Sequence, residues 1–182
     1  MAGPNHSRNT REPSRRPYPR AVSPADDAQS GAVTDEARAV GPHPPLHLPT
    51  DQRVAMEQFA RAGYPHEACG LLVGRRDGDA DRVVRVTRAR NLATDRLADR
   101  YLLDPQDYLA TDEEARRDGL EILGIWHSHP DHPARPSTTD LGSAWPDYSY
   151  LIVAVHQGEV VDLTAWRLDA SRFVQQNIKE GS

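Results

Sequence analysis

Two histidines, a serine and an aspartate lie within one short stretch, His127-Ser-His-Pro-Asp-His-Pro-Ala-Arg-Pro-Ser-Thr-Thr-Asp140. The imidazoles of His127 and His129 and the carboxylate of Asp140 make three protein ligands. That is the number in a catalytic zinc site, which keeps a fourth position open for water. A thiolate-rich structural site cannot be built within the chain, because Cys69 is its one cysteine. Water activated at a metal still needs a base. The candidate is Glu67, in His66-Glu-Ala-Cys-Gly-Leu-Leu-Val-Gly74, where burial at the start of an apolar run raises a carboxyl pKa toward a useful value. Taken alone, Glu67 reads as a surface residue ending a loop, and a bare His-x-His pair as a solvent-facing turn. The two segments together point to hydrolysis.

The elements that must position these groups follow from the pattern. Leu120 to Trp126 is a short apolar run that reads as a buried strand. If it continues to His129, His127 and His129 share a face, since side chains alternate with period two, and Pro130 ends it. A polar, proline-rich loop leads to Ser137 and Thr138, candidate caps of a short helix running through Trp145, with Asp140 in its first turn facing back to the histidines. A helix is expected from about Asp51 to Ala62, capped by Thr50 and ended by Gly63. Strands are expected at Gly70–Arg75, Arg82–Arg90 and, briefly, Tyr101–Leu103. Asp104-Pro105 opens a second helix to about Asp118, closed by Gly119. Tyr148–Val155 and Val160–Leu168 form a hairpin around Gln157-Gly158, and a last strand covers Phe173–Ile178. Strands interleaved with few helices predict an α/β domain, a central mixed sheet flanked by helices.

The motif set Glu-x-Cys-Gly-Leu-Leu, His-Ser-His-Pro and Ser-x-x-Asp, with seven residues between the second histidine and the serine, resembles the JAMM (MPN+) metalloproteases. The likeness runs from about Leu46 to about Ile178 and takes in Asn91-Leu-Ala and Tyr101-Leu-Leu-Asp-Pro105. It implies the cytidine-deaminase-like JAB/MPN fold. It implies that His127, His129 and Asp140 bind zinc, that Glu67 deprotonates the zinc-bound water, and that Ser137 helps hold the tetrahedral oxyanion. For Ser137 the alternative is a helix cap, and both roles hold in succession only if its side chain reorients. The small size and the absence of long insertions around the site are closer to the bacterial members than to the eukaryotic deubiquitinases. Those members are similar to peptidases that cut a peptide or isopeptide bond after the C-terminal Gly-Gly of a ubiquitin-like sulfur-carrier protein, some of them in cysteine biosynthesis. Some MPN domains are instead scaffolds without ligands, and a non-catalytic interaction module is the alternative from another class.

A second motif overlaps the first: His127-x-His129-x-Asp131-His132 spells the ligand signature of two-metal metallo-β-lactamase-type hydrolases. That reading needs further ligands downstream, where His156 is the one remaining histidine, and a larger sandwich than about 135 ordered residues supply. Asp131 and His132 are therefore expected to be loop residues, with His132 at the mouth of the site.

Composition bounds the rest. The chain has 182 residues, and nine of its 15 prolines lie in the first 50. Residues 1–45 lack apolar periodicity and read as a disordered Pro/Arg/Ser-rich extension, leaving 46–182 as the catalytic domain. From residue 46 onward there are 16 basic and 22 acidic side chains, an acidic balance that disfavours nucleic-acid binding. No run of about 18 apolar residues is present, so no membrane helix is expected. The extension has no apolar central region of a secretory signal. Cys69 reads as a small buried hydrophobe in a reducing, cytoplasmic setting.

Overall fold

The computed structural model describes residues 43–181. Almost all of the expected extension, residues 1–42, lies outside them. The described chain runs β1 (Leu46–Pro49), α1 (Thr50–Gly63), β2 (Cys69–Arg76), β3 (Asp81–Ala89), α2 (Pro105–Arg117), β4 (Glu121–Pro130), α3 (Thr138–Ser143), β5 (Ser149–His156), β6 (Glu159–Asp169), β7 (Arg172–Gln176) and β8 (Ile178–Gly181). The strands form one mixed sheet in the order β7-β6-β5-β4-β2-β3-β1-β8. β4 is central, antiparallel to β2 and parallel to β5.

Both faces of this sheet are covered, which is why β2 and β5 read as continuous apolar runs rather than alternating ones. Along β2, Cys69, Leu71 and Val73 join a core with Tyr108 and Ala115 of α2. Leu72 points the other way, into a core with Met56 and Ala60 of α1. β4 alternates in the same sense, but with one correction of phase. Val73 pairs with Ile122 and Leu72 with Gly124, so Leu123 is an extra residue, a bulge. Bulges re-aim the side chains that follow them. Here Ile122 and Ile125 enter the α2-side core, while Leu123 and Trp126 enter the α1-side core. Trp126 fixes the strand through its indole N–H, which donates to the Thr87 carbonyl at 2.8 Å. Facing it is Gly70, where a Cβ would lie 1.9 Å from the Thr87 oxygen and 2.4 Å from the indole nitrogen. Only glycine permits that approach.

The sheet curls until its edges meet. β7 and β8 stand at opposite ends of the strand order, yet a single residue, Asn177, separates them. The Leu46 N–H donates to the Asn177 carbonyl at 2.9 Å, and the Gln176 amide donates to the Pro44 carbonyl at 2.7 Å. Across the curl, buried Arg167 of β6 donates to buried Asp81 of β3 at 2.9 Å, although these strands are not neighbours in the sheet.

The expected mixed α/β sheet with flanking helices is therefore present, and the two long helices and the β5–β6 hairpin fall where the sequence puts them. Several details differ. The strand expected at Tyr101–Leu103 is reduced to one bridge, Asn91 to Leu103. The last strand, expected as Phe173–Ile178, breaks at Asn177 because the chain changes from one edge of the sheet to the other. β1 was not expected: four residues are too few to show a period. Thr50 does not cap α1 but is its first residue, with Pro49 at the cap position and no side-chain cap bond. Proline at that point sets φ without using a donor. α3 ends at Ser143, short of Trp145. Among the described residues no helix is long and apolar enough to cross a membrane.

Candidate active site

The site forms where β4 runs out of the sheet beside the start of β2. Because β4 continues to Pro130, His127 and His129 project from the same face, one turn of pleat apart. Their Nε2 atoms lie 3.0 Å from each other. Asp140 arrives from the first turn of α3. Its Oδ1 stands 3.3 Å from His127 Nε2 and its Oδ2 3.7 Å from His129 Nε2. These three residues are the group, among the described residues, that could hold a metal ion. The donor set fits. Four ligands at about 2.0–2.1 Å around a tetrahedral zinc stand about 3.3 Å apart, close to the 3.0 Å between the two Nε2 atoms and the 3.3 Å from His127 Nε2 to Asp140 Oδ1. Two neutral imidazoles and one carboxylate are also the ligand chemistry of a catalytic, open zinc site.

Each ligand is oriented by something behind it. The Pro133 carbonyl lies 2.9 Å from His129 Nδ1. A carbonyl can only accept, so Nδ1 carries the proton and Nε2 turns a lone pair inward. Among the described residues His127 has no such partner: its buried Nδ1 is without a hydrogen bond there. Its ring is instead stacked on Tyr101, centroids 4.6 Å apart. Asp140 is held by a capping box. Ser137 N–H and Oγ–H donate to its Oδ2 at 2.6 and 2.7 Å, while its own N–H donates to Ser137 Oγ at 3.1 Å. The carboxylate is thus gripped by Ser137 through Oδ2, while Oδ1 faces His127 and Oδ2 also approaches His129.

Glu67 reaches the same point by strand register. Antiparallel pairing matches Cys69 with His127, and the Ser128 N–H donates to the Ala68 carbonyl at 2.9 Å. Two residues before Cys69, Glu67 therefore stands opposite His129, with its carboxylate 3.9 Å from His129 Nε2. Ser128, between the two histidines, faces away from them. Its Oγ accepts from the Ala68 N–H at 2.9 Å and locks the two strands together next to the site.

The site residues are largely buried, and their charges are interdependent. Glu67 is 6 % exposed and His127 fully buried. Burial pushes Glu67 up to about 8, against the opposing pull of His129 and with the help of Asp140 and Asp99. Burial pulls His127 down to about 4 despite Asp140, so it is neutral and able to ligate. Burial also acts to lower His129, but its hydrogen bond and charge pairing with Asp140, with Glu67 behind, outweigh that and raise it. Asp140 is held well below the usual carboxylate range: burial works to raise it, and His127, His129 and Ser137 overcome this. The two carboxylates are pushed apart in basicity, a pattern that marks one as a fixed anion and the other as a proton carrier.

All five expected residues thus converge, with Ser137 present as a cap on Asp140. Asp131 and His132 do not join them. Asp131 accepts from Tyr64 Oη at 2.9 Å and from the Gln157 N–H at 3.1 Å and faces His156 Nδ1 at 3.1 Å, and His132 is exposed. This leaves the two-metal reading without its ligands. The sequence assigns no site role to Ser128, Tyr101 or the Pro133 carbonyl, although Ser128 lies inside His-Ser-His-Pro and Tyr101 opens Tyr101-Leu-Leu-Asp-Pro105, both parts of the family likeness.

The comparisons with known proteins agree with this geometry. The profile described as prokaryotic homologs of the JAB domain matches residues 49–169. A protein named desampylase from Haloferax volcanii is 38% identical over 113 residues, 59% of this chain and 78% of that one. A CysO-cysteine peptidase from Mycobacterium tuberculosis is 33% identical over 117 residues, 63% of this chain and 76% of that one. In solution, protein DSY2949 from Desulfitobacterium hafniense has a similar structure, with TM-score 0.67 and 35% identity over 75% of this chain and 93% of that one. The profile match spans both β2, which brings Glu67, and the segment from His127 to Asp140, so the chain belongs to the prokaryotic homologs of the JAB domain and is a JAMM-type hydrolase.

Proposed function

We propose that this protein is a zinc-dependent peptidase that hydrolyses the bond after the C-terminal Gly-Gly of a ubiquitin-like sulfur-carrier protein. The observation that carries the reading is the meeting of two imidazole nitrogens 3.0 Å apart with the Asp140 carboxylate, whose oxygens lie 3.3 and 3.7 Å from them, and with a buried Glu67 carboxyl 3.9 Å away. His127 Nε2, His129 Nε2 and an Asp140 carboxylate oxygen would hold the metal. Zinc bound there would acidify water and polarise the scissile carbonyl.

The chain's own residues supply the proton traffic. Glu67 Oε1 takes a proton from the attacking water and returns it to the leaving amine as the C–N bond breaks. Water adds across the bond, giving a carboxylate on the carrier and a free amine. Ser137 has a single hydroxyl proton, now given to Asp140. Donation to the developing oxyanion requires that hydroxyl to rotate, leaving the Ser137 N–H to hold Asp140. A donor aimed at the oxyanion contributes about 3 kcal/mol in hydrolases.

Three considerations support the substrate class. A Gly-Gly end can lie extended against a sheet edge in a confined site with no side chains to clash. The mycobacterial relative is named for cutting CysO-cysteine, which agrees with such a substrate. The domain carries the complete motif with no long insertion between β4 and α3. The test is intact-mass analysis of Gly-Gly carriers extended by one cysteine or a short peptide, incubated with zinc-loaded protein. Loss of the added residues, with the carrier restored to its Gly-Gly end, is expected. No shortening across several such carriers overturns the substrate assignment.

A further inference from the structure

We infer that Asn91 is a positioning residue for Glu67, acting through the loop that it closes. The inference rests on the reading of Glu67 as the base.

Asn91 directly follows Arg90, beyond the end of β3, and has one bridge pairing to Leu103. Its side-chain amide uses all four of its hydrogen-bonding positions. Nδ2 donates to the Glu67 carbonyl at 3.0 Å and to the Arg100 carbonyl at 3.2 Å. Oδ1 accepts from the Ala93 and Leu102 N–H groups, each at 2.9 Å. A primary amide has two donors and two acceptor lone pairs, so nothing is left over. One side chain thereby pins both ends of the 92–102 loop to each other and to the peptide that carries Glu67. The loop completes the grip: the Leu97 carbonyl accepts from the Glu67 N–H at 2.7 Å. Both backbone polar groups of Glu67 are bonded to this device and neither to a strand. On the next residue, Ala68, both are bonded to Ser128 instead. The sheet register thus ends one residue short of the base, and Asn91 with its loop sets the last peptide.

That peptide decides where the carboxylate lies relative to His129. A reacting group displaced by about 1 Å can cost about 100-fold in rate. Side chains of similar size do not supply the same four contacts: aspartate keeps both acceptors, loses both donors and places an oxygen against the Glu67 carbonyl. Serine offers one hydroxyl and shortens the reach.

The test uses Asn91→Asp and Asn91→Ser in the full chain, with the extended Gly-Gly carrier as substrate and Glu67→Gln as reference. Both Asn91 variants are expected to lose about 10- to 100-fold in kcat, with KM and zinc stoichiometry close to wild type. Hydrogen exchange at the Glu67 amide should quicken while the β4 amides stay protected. In the Glu67→Gln background the Asn91 substitutions should cause no further loss, because the group they position is gone. A wild-type kcat and unchanged exchange at Glu67 in either variant overturns the inference. So does an equal additional loss in the Glu67→Gln background, which marks a purely structural role. Full activity in Glu67→Gln alone is a different failure: it removes Glu67 from the mechanism and the inference with it. If neither variant folds, exchange at the Glu67 amide in the wild-type protein decides. Protection there matching the Leu102 amide and below that of β4 supports the loop anchor, and protection matching β4 overturns it.

Discussion

The two halves of this site are built in opposite ways. The ligand half is local. His127, His129 and Asp140 lie within fourteen residues, and two of the three are oriented from close by, His129 by Pro133 and Asp140 by Ser137, while Tyr101 of the 92–102 loop stacks on His127. The base half is assembled from a distance. Glu67 is placed by the β2–β4 register, by Ser128 on β4 and by Asn91 and Leu97 in another connection. On the proposed reading, a metal site held mostly by short-range contacts depends less on the 92–102 loop than turnover does, with Tyr101 on His127 as the link between the two halves. The comparison therefore predicts that metal binding and catalysis separate under mutation.

The largest effect should come from the ligand half. His129→Ala, or removal of metal by a chelator, is expected to abolish turnover, and only zinc addition to the chelated wild type should restore it. Zinc content by mass spectrometry and the carrier assay check this together. Activity that survives complete demetallation would remove the metal from the reaction.

Glu67→Gln comes next and sharpens the contrast. It is expected to keep zinc stoichiometry and to lose about 100- to 10,000-fold in kcat, the range of general-base catalysis. The glutamine fills the same buried space without a proton-accepting carboxylate. Loss of zinc in this variant would mean that the halves are not independent and that the carboxylate 3.9 Å from His129 acts as a ligand.

The same division explains what could be read from the sequence. The ligand half was legible because period-two alternation and one helical turn convert spacing directly into geometry: His127 and His129 share a face, and Asp140 stands three residues after its cap. The placement of Glu67 opposite His129 was not derivable from either segment, since register is a property of two strands. The family motif supplied the association that periodicity could not. The Leu123 bulge was invisible for a related reason: Leu120 to Trp126 reads as apolar throughout, and only the pairing with Leu72 and Val73 reveals the extra residue. β8 was lost because its partner is β1, the first element of the described residues and itself four residues long, with Leu46 pairing with Ile178.

Ser137 sits where the cap and the chemistry compete. Ser137→Ala removes both the cap on the Asp140 N–H and the proton offered to Oδ2. The loss of the cap is expected to cost about 1 kcal/mol of stability, visible as a lower Tm. The loss of the oxyanion donor should lower kcat about 100- to 1,000-fold, with zinc retained through the Ser137 N–H contact to Asp140. A lower Tm with unchanged kcat would confine Ser137 to the ligand half and end its proposed catalytic role.

The smallest effect tests the comparison within the ligand half itself. His129 is oriented by a hydrogen bond, and His127, with its Nδ1 unpartnered, by the face of Tyr101. A partner behind a metal-ligating histidine is ordinarily a hydrogen-bond acceptor, and its loss costs about 10- to 100-fold in metal affinity. If stacking does the same work here, Tyr101→Leu should weaken zinc binding within that range, because leucine fills much of the space without presenting a ring. Tyr101→Phe should bind zinc like the wild type, since the ring face and not the hydroxyl meets His127. Competition titration against a chromophoric chelator reads both variants without reference to activity. Equal weakening in both would shift the role to the Tyr101 hydroxyl. No weakening in either would leave His127 held by strand β4 alone, and Tyr101, which also borders the α2-side core, would be a packing residue that happens to lie against it.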